Sequence, residues 1–480
     1  MRVASFTSTL VALALPLGAL SIAGAQKVSP PPAGALRPYV FPQVEQFALG
    51  NGLKVILVEK HTLPVVEGRL IIDAGAMREP GTKNGLASLT ARLLPEGTAD
   101  VSGAEFARQM DALGAQFSIV GGFSNSSVDV VALKNVFAQA LSLAAKTAIA
   151  PSFPAGEFSR VRNQVLAGYQ QNHARAAGLA SDAFIRAVFD STAPFSRPQA
   201  GTLATISGLT RDDVVEWHRT MYAPSGATLL IVGDITPAEA RAAAQQAFGS
   251  WNATRAAVGP VSNPIRQSAG TRVILVDRPG SVQSSIIVGQ AAFQPKDPDY
   301  IPMLALNHVF GGATSSRLNN NLRERHGYTY SMFSGLDMRA GAGAFQASSE
   351  VRTNATDSAL VEAIGEYRRM VTETVPAAEL QGAVNNLVSG FPSAVQSVQG
   401  LASRLTNLIV WGLPMDFYVS YRERLAAVTP EDVRRVAANK LTPDNLVIVV
   451  AGDLSKIEAP IRARNFGTVE VWDADGKKVR

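Results

Sequence analysis

The sequence predicts an α+β protein built from two duplicated domains, each an antiparallel sheet with helices packed on one side. Three observations carry that prediction. The segment "TRDDVVEWHRTMYAPSGATLLIVGDI" (Thr210 to Ile235) returns without a gap as "TPEDVRRVAANKLTPDNLVIVVAGDL" (Thr429 to Leu454). The segment "KVILVE" (Lys54 to Glu59) returns as "RVILVD" (Arg272 to Asp277) at nearly the same offset. At 480 residues the chain is also longer than one hydrophobic core ordinarily supports. Two anchors with nearly one spacing imply a duplicated unit of roughly two hundred residues.

The elements follow in chain order. Residues 1–25 read as a secretory signal peptide, with Arg2, the apolar run "LVALALPLGALSIAGA" and an A-x-A site at Ala23-Gly24-Ala25. This implies a periplasmic or secreted protein. Residues 26–46 are a Pro-rich arm containing "VSPPPAGALRPYVFPQ". The first domain spans 47–251. The polar Pro/Gly stretch 252–270 is a linker. The second domain spans 271–467, and 468–480 remain as a tail. In both copies of the repeat a Thr (Thr210, Thr429) precedes an acidic first turn, which predicts an N-capped helix. A Pro-containing turn follows, then an apolar strand closed by Gly-Asp.

Composition removes several functions. Hydrophobic content of 46% with 17% charged residues is ordinary for a globular chain. A net charge of +5 is thin over this length, and no basic stripe is interleaved with aromatics, so nucleic acid is not an expected partner. There is no cysteine, which excludes a disulfide framework, thiol catalysis and a lipid-anchored lipoprotein. No run after the signal reaches the ~18 apolar residues of a transmembrane helix. No Gly-x-Ser-x-Gly elbow is present, and "GGATSSR" lacks the Gly-Lys-Ser/Thr of a phosphate loop.

One helix raises a question of chemistry. "NGLASLTARLLPEGT" (Asn84 to Thr98) places Leu86, Leu89, Leu93 and Leu94 on an apolar face. Ser88, Ala91 and Arg92 then stand at the spacing of a His-x-x-Glu-His zinc helix. Zinc hydrolysis requires about three protein ligands and an open position for water. The five histidines (His61, His173, His218, His308, His326) include no pair three or four residues apart. Arg92 is a fixed cation without a lone pair to offer a metal. From these residues alone the segment is an amphipathic helix that packs its leucines.

Taken together, "LGNGLKVILVEKHTLPVV", "IDAGAMREPGTKNGLASLTARLLPEGT", "MYAPSGATLLIVGD", "GGATSSRLNNNLRERHGYTYS" and "LTPDNLVIVVAGD" resemble the pitrilysin/insulinase family of zinc metallopeptidases, in the branch with two similar halves per chain. The resemblance covers nearly the whole sequence after the signal. It implies that the two zinc-binding histidines of active members fall on Ser88 and Arg92, the catalytic glutamate on Ala91, and the distal glutamate near Gly168 in "RVRNQVLAGYQQ". None of the four is kept, so no metal or other cofactor is expected in this chain.

The resemblance also implies a role for the second half. In heterodimers of this family one subunit carries zinc and the other an Arg and a Tyr seven residues apart. Arg323 and Tyr330 stand at that spacing in "RLNNNLRERHGYTYS". A tyrosine O–H can stabilise an oxyanion, and a guanidinium can hold substrate carbonyls or carboxylates. From side-chain chemistry alone the two also suit a surface ion pair and a core aromatic. Gly311 and Gly312 in "GGATSS" suit either a mobile cleft loop or a plain helix-to-helix connection. The expected protein is thus the zinc-less subunit of a periplasmic peptidase, similar in arrangement to the mitochondrial processing peptidase alpha subunit. Its expected partners are a homologous subunit bearing zinc on His-x-x-Glu-His and peptide or unfolded protein substrates. A standalone, non-catalytic peptide-binding or scaffolding protein is the alternative.

Overall fold

The structure is a computed structural model that describes residues 39–266 and 269–480. The predicted signal peptide and most of the Pro-rich arm lie outside the described residues. The first half runs β1 (Glu45–Ala48), β2 (Lys54–Glu59), β3 (Val65–Ile72), α1 (Leu86–Leu93), α2 (Gly103–Ala112), β4 (Gln116–Gly121), β5 (Ser126–Leu133) and α3 (Lys134–Ile149). It continues with α4 (Ala155–His173), α5 (Ala176–Val188), α6 (Leu203–Gly208), α7 (Arg211–Met221), β6 (Ala227–Gly233) and α8 (Pro237–Phe248). The second half runs β7 (Arg272–Asp277), β8 (Gln283–Ala291), α9 (Tyr300–Phe310), α10 (Arg317–Asn319), β9 (Phe333–Arg339), β10 (Gly341–Arg352) and α11 (Thr356–Thr372). It ends with α12 (Ala377–Ala394), α13 (Val398–Trp411), α14 (Tyr421–Ala426), α15 (Pro430–Lys440), β11 (Val447–Gly452), α16 (Leu454–Ala463) and β12 (Thr468–Trp472).

The duplication holds for five of the six strands in each sheet, the sixth being β1 in one and β12 in the other. The sheets have the orders β1-β2-β6-β3-β5-β4 and β12-β7-β11-β8-β10-β9. Most neighbours are antiparallel, but β2–β6, β7–β11 and β7–β12 are parallel, so each sheet is mixed. The repeated strands β6 and β11 sit inside their sheets, and every residue of β11 is buried. That is why both read as continuous apolar runs without alternation. Thr210 and Thr429 cap α7 and α15 through reciprocal bonds with Asp213 and Asp432.

Two features depart from the sequence-based boundaries. The first five residues of the 468–480 tail form β12, which closes the second sheet at the edge that β1 closes in the first. Its "TVEVW" pattern is too short to be distinguished from a tail by sequence. The 252–270 linker is pinned to the first half: Arg255 donates to the Asp73 carbonyl (2.6 Å) and carboxylate (2.7 Å), and Arg78 donates to the Gly259 carbonyl at 2.6 Å.

The larger departure is an exchange of helices. The face of each sheet left open by its own half is covered by a helix from the other. Helix α5 packs on β8 and β11 of the second sheet, and α13 packs on β3 and β6 of the first. Leu179, Ala183, Phe184 and Val188 share a buried cluster with Ile274, Ile287, Val449 and Trp472. Gly289 on β8 makes room for this contact, because a Cβ there would lie 2.8 Å from the Phe184 ring. Replacing Phe184 by Ala is expected to cost about 3–5 kcal/mol. Chemical denaturation should show one earlier transition common to probes in both halves; separate transitions would mean that the halves fold independently.

Candidate functional site

Two regions correspond to the candidate residues, one in each half. In the first, α1 begins at Gly85, whose φ of 95° is left-handed. A residue with a Cβ there would also approach the Ala200 carbonyl to 2.7 Å. Gly85 has no capping side chain, and the buried Glu79 carboxylate substitutes, accepting from the N–H groups of Gly85 (3.0 Å) and Ala87 (2.6 Å). Burial pushes the Glu79 carboxyl up to about 7 against the opposing pull of these N–H groups and of Arg197.

The zinc-helix positions are distributed as follows. Ser88 and Ala91 are buried, and Arg92 is exposed. Strand β4 rests directly on them: a Cβ on Gly121 would lie 2.8 Å from the Ser88 Cα and 3.0 Å from the Ala91 Cβ. Gly168 is exposed on α4, and a Cβ added there would meet nothing within 4 Å. Helices α1, α2 and α4 and strand β4 line a cavity of about 770 Å³ that is open to solvent, with Ala91, Arg92, Phe106, Phe117 and Gln164 among its lining residues. Two of its three acidic residues, Glu96 and Glu157, pair with Arg160 at 2.5 and 2.6 Å.

These residues do not fit a zinc ion. Ser88 offers one weak oxygen donor, Arg92 a positive charge, and Gly168 no side chain. Among the described residues no group of three or more His, Asp or Glu side chains is arranged to hold a metal.

In the second half, α10 runs into a π-helix over Asn320–Arg325. Such turns concentrate at functional sites. The motif's other polar residues pin it in place. Arg317 donates two bonds of 2.8 Å to Glu379. Asn319 is fully buried and holds Met332 by both ends, accepting from its N–H (3.1 Å) and donating to its carbonyl (2.9 Å). Asn321 donates to Glu366 at 2.8 Å. The segment carrying Tyr330 is laced to β10, with Thr329 Oγ1 donating to the Glu350 carbonyl (2.7 Å) and Ser349 Oγ to the Ser331 carbonyl (2.8 Å).

That scaffold brings Arg323 and Tyr330 together on the surface. The Arg323 guanidinium lies 5.0 Å from the Tyr330 ring centroid, a cation–π distance. Arg323 also pairs with Glu324 at 3.2 Å. Tyr330 is 84% exposed, so it is not a core aromatic. Its hydroxyl has no hydrogen-bond partner among the described residues, and its O–H is free to donate. Gly311 and Gly312 form a tight helix-to-helix connection. Both N–H groups donate to the Asn307 carbonyl, at 2.9 and 2.7 Å, and the Gly311 carbonyl accepts from Ser334 at 3.0 Å.

Sequence reasoning missed a cleft of about 570 Å³ beside Tyr330, with Phe333, Gln346 and Glu350 on one side and Ala177 and Ser181 of α5 on the other. The cleft exists because α5 crosses to the second sheet, and no motif announces that crossing.

Comparison with known proteins agrees with this architecture. Residues 54–197 match the insulinase family (peptidase family M16), and residues 208–387 match the peptidase M16 inactive domain. An uncharacterized zinc protease of Streptomyces coelicolor is 23% identical over 409 residues, covering 83% of this chain and 87% of the relative. The non-peptidase homolog YmxG of Helicobacter pylori is 22% identical over 367 residues, covering 76% and 83%. Among solved structures, the peptidase M16 inactive domain from Pseudomonas fluorescens is 27% identical with a TM-score of 0.78, covering 85% of this chain and 98% of that one. With the duplicated sheets, the altered zinc positions and these similarities in hand, the chain belongs to the insulinase (M16) peptidase family, as a member without the residues that hold zinc.

Proposed function

We propose that this chain is the zinc-less subunit of a heterodimeric peptidase of the periplasm, and that it holds peptide substrates for a homologous partner that bears zinc on His-x-x-Glu-His. The observation that carries the reading is the contrast between the two halves. The first half keeps the helix and has lost the ligands. The second half presents Arg323 and Tyr330 on a firmly pinned segment, with the phenol unengaged. The partner would supply the metal and its water. Tyr330 would donate its O–H to the carbonyl oxygen as negative charge develops on it, and Arg323 would hold a neighbouring carbonyl or carboxylate of the substrate.

A standalone peptide-binding or scaffolding role is the second reading. It is favoured by the relative that bears the name non-peptidase homolog and by the open edge of β4, which alternates between exposed and half-buried residues beside the 770 Å³ cavity. Extended peptides add to such edges through main-chain hydrogen bonds. Among the described residues no helix is long and apolar enough to cross a membrane.

The first of two measurements tests what these readings share, and the second separates them. Elemental analysis of the purified chain should find zinc only at background, because Ser88, Arg92 and Gly168 offer no ligand set; about one tightly held zinc per chain would contradict the assignment. Adding the partner should then produce chelator-sensitive peptide hydrolysis that neither chain shows alone. A partner equally active without this chain would favour the scaffold.

The side chains can be tested in the assembled pair. Tyr330→Phe keeps the ring and removes one donor, so turnover should fall by on the order of a hundred- to a thousandfold. Arg323→Ala should mainly lower catalytic efficiency through weaker substrate positioning. Both variants should assemble with parental melting temperature and zinc content, since both residues are surface groups. Near-parental activity in both intact complexes would make the pair structural.

A further inference from the structure

The seat of α13 on the first sheet holds a smaller cavity, of about 290 Å³, whose walls come from both halves. The first half supplies Ile71 of β3, Thr228 of β6, Asp73, Arg78, and Ser124 and Asn125 at the β4–β5 turn. The second half supplies Ile409 and Val410 of α13 and Ala340 of the β9–β10 turn. The polar groups are held close to one another. The short turn carrying Arg78 is fastened to the β4–β5 turn by the N–H groups of Ala76 and Met77, which donate to the Gly122 (3.0 Å) and Phe123 (2.9 Å) carbonyls.

The one acid in this lining is already used. Asp73 accepts from Arg78 at 3.0 and 2.9 Å and from Arg255 at 2.7 Å. Two guanidinium charges against one carboxylate leave a surplus positive charge at the wall. Arg339, next to Ala340 in sequence, is neutralised by Asp337. Arg78 spends a third N–H on the Gly259 carbonyl, so two of the five N–H groups of a guanidinium stay uncommitted. The Asn125 amide and the Thr228 hydroxyl have no hydrogen-bond partner among the described residues. Ser124 Oγ accepts from the Ala340 N–H at 3.3 Å and keeps its own proton to donate.

A ligand entering here meets spare donors and positive charge beside the aliphatic side chains of Ile71, Ile409 and Val410. A carboxylate satisfies the donors with charge-assisted hydrogen bonds. An ammonium group would find no free carboxylate. An apolar cavity of about 150 Å³ accepts benzene, so this one has room for a carboxylate carrying a short carbon chain. We propose that the cavity binds a small carboxylate on an aliphatic body, with Arg78, Ser124 and Asn125 on the carboxylate and Ile71, Ile409 and Val410 on the chain. Because the walls belong to both halves, such a ligand braces the seat of α13. Free short-chain acids and the C-terminal residue of a peptide share this chemistry.

Isothermal titration calorimetry on the purified full chain tests the proposal, with 4-methylpentanoate, 4-methylpentanamide and 4-methylpentylamine as probes. The acid should bind with a Kd of about 1 mM or tighter, the amide about tenfold more weakly, and the amine without measurable heat. The acid should also raise the melting temperature, by mass action on the folded state. Asn125→Asp places an anion on the wall and should weaken the acid at least about tenfold. Val410→Phe fills the space from the α13 side and should abolish binding of all three probes. Circular dichroism of each unliganded variant checks folding; if Val410→Phe fails to fold, the ranking of the three probes on the parent chain still decides. The tripeptide Ala-Ala-Leu and its C-terminal amide distinguish the sources. A tripeptide bound as tightly as the free acid, with its amide rejected, supports a peptide C-terminus, and binding of the free acid alone supports a small metabolite. No binding of the acid or the tripeptide, equal binding of acid, amide and amine, or an acid affinity unchanged by Asn125→Asp would overturn the proposal.

Discussion

The structure depends on the mutual covering of two sheets by exchanged helices. Each half can bury one face of its sheet with its own helices, and the other face would be left apolar and exposed. Helix α5 closes that face for the second sheet and α13 for the first. Neither half then has a complete core alone, so the duplicated units behave as one folded body. The exchange is not symmetrical in chemistry. Under α13 the first sheet buries Glu67 and Asp129 beside half-buried Arg69, which reaches Glu67 at 2.8 Å and Thr406 of α13 at 3.2 Å. Burial pushes the Glu67 carboxyl up to about 7. The matching place under α5 holds Ser285 and Ile287 and opens into the cleft beside Tyr330.

This packing explains why a helix can outlive its chemistry. Leu86 of α1 is 2% exposed, and Leu89 and Leu93 are fully buried, so the helix is part of the first core. Losing it would cost several large side chains' worth of burial, at about 1.5–3 kcal/mol each. On its other side Ser88 and Ala91 are buried under β4, where small side chains suit the close approach of Gly121, and Arg92 is exposed. The helix is therefore held by its packing, independently of any metal chemistry. The second half shows the opposite arrangement. Buried Asn319 and the Arg317–Glu379 pair fix the segment structurally, while half-buried Arg323 and exposed Tyr330 contribute little to the core.

Much of this was legible in the sequence because it depends on local or repeated patterns. The offset between the copies defined two units, and the Thr caps and apolar strands located α7, α15, β6 and β11. The apolar spacing of Leu86, Leu89 and Leu93 located α1. What stayed hidden depends on long-range packing. An amphipathic helix such as α5 declares that it has an apolar face, but not which sheet receives it. The parallel pairs β2–β6 and β7–β11 follow from the return of each half to an early strand, β2 or β7, which a periodicity of two does not encode. The short β12 carries too few residues to signal a strand.

The central claim is that the chemistry missing from this chain is supplied by another. Affinity purification of the full chain from its native source, with identification of the co-purifying protein and measurement of its zinc, tests this most directly. A homologous chain carrying His-x-x-Glu-His should be recovered, bound in a fixed ratio and holding zinc. Recovery of this chain alone, with peptide hydrolysis in the remaining extract unchanged by its removal, would contradict the claim.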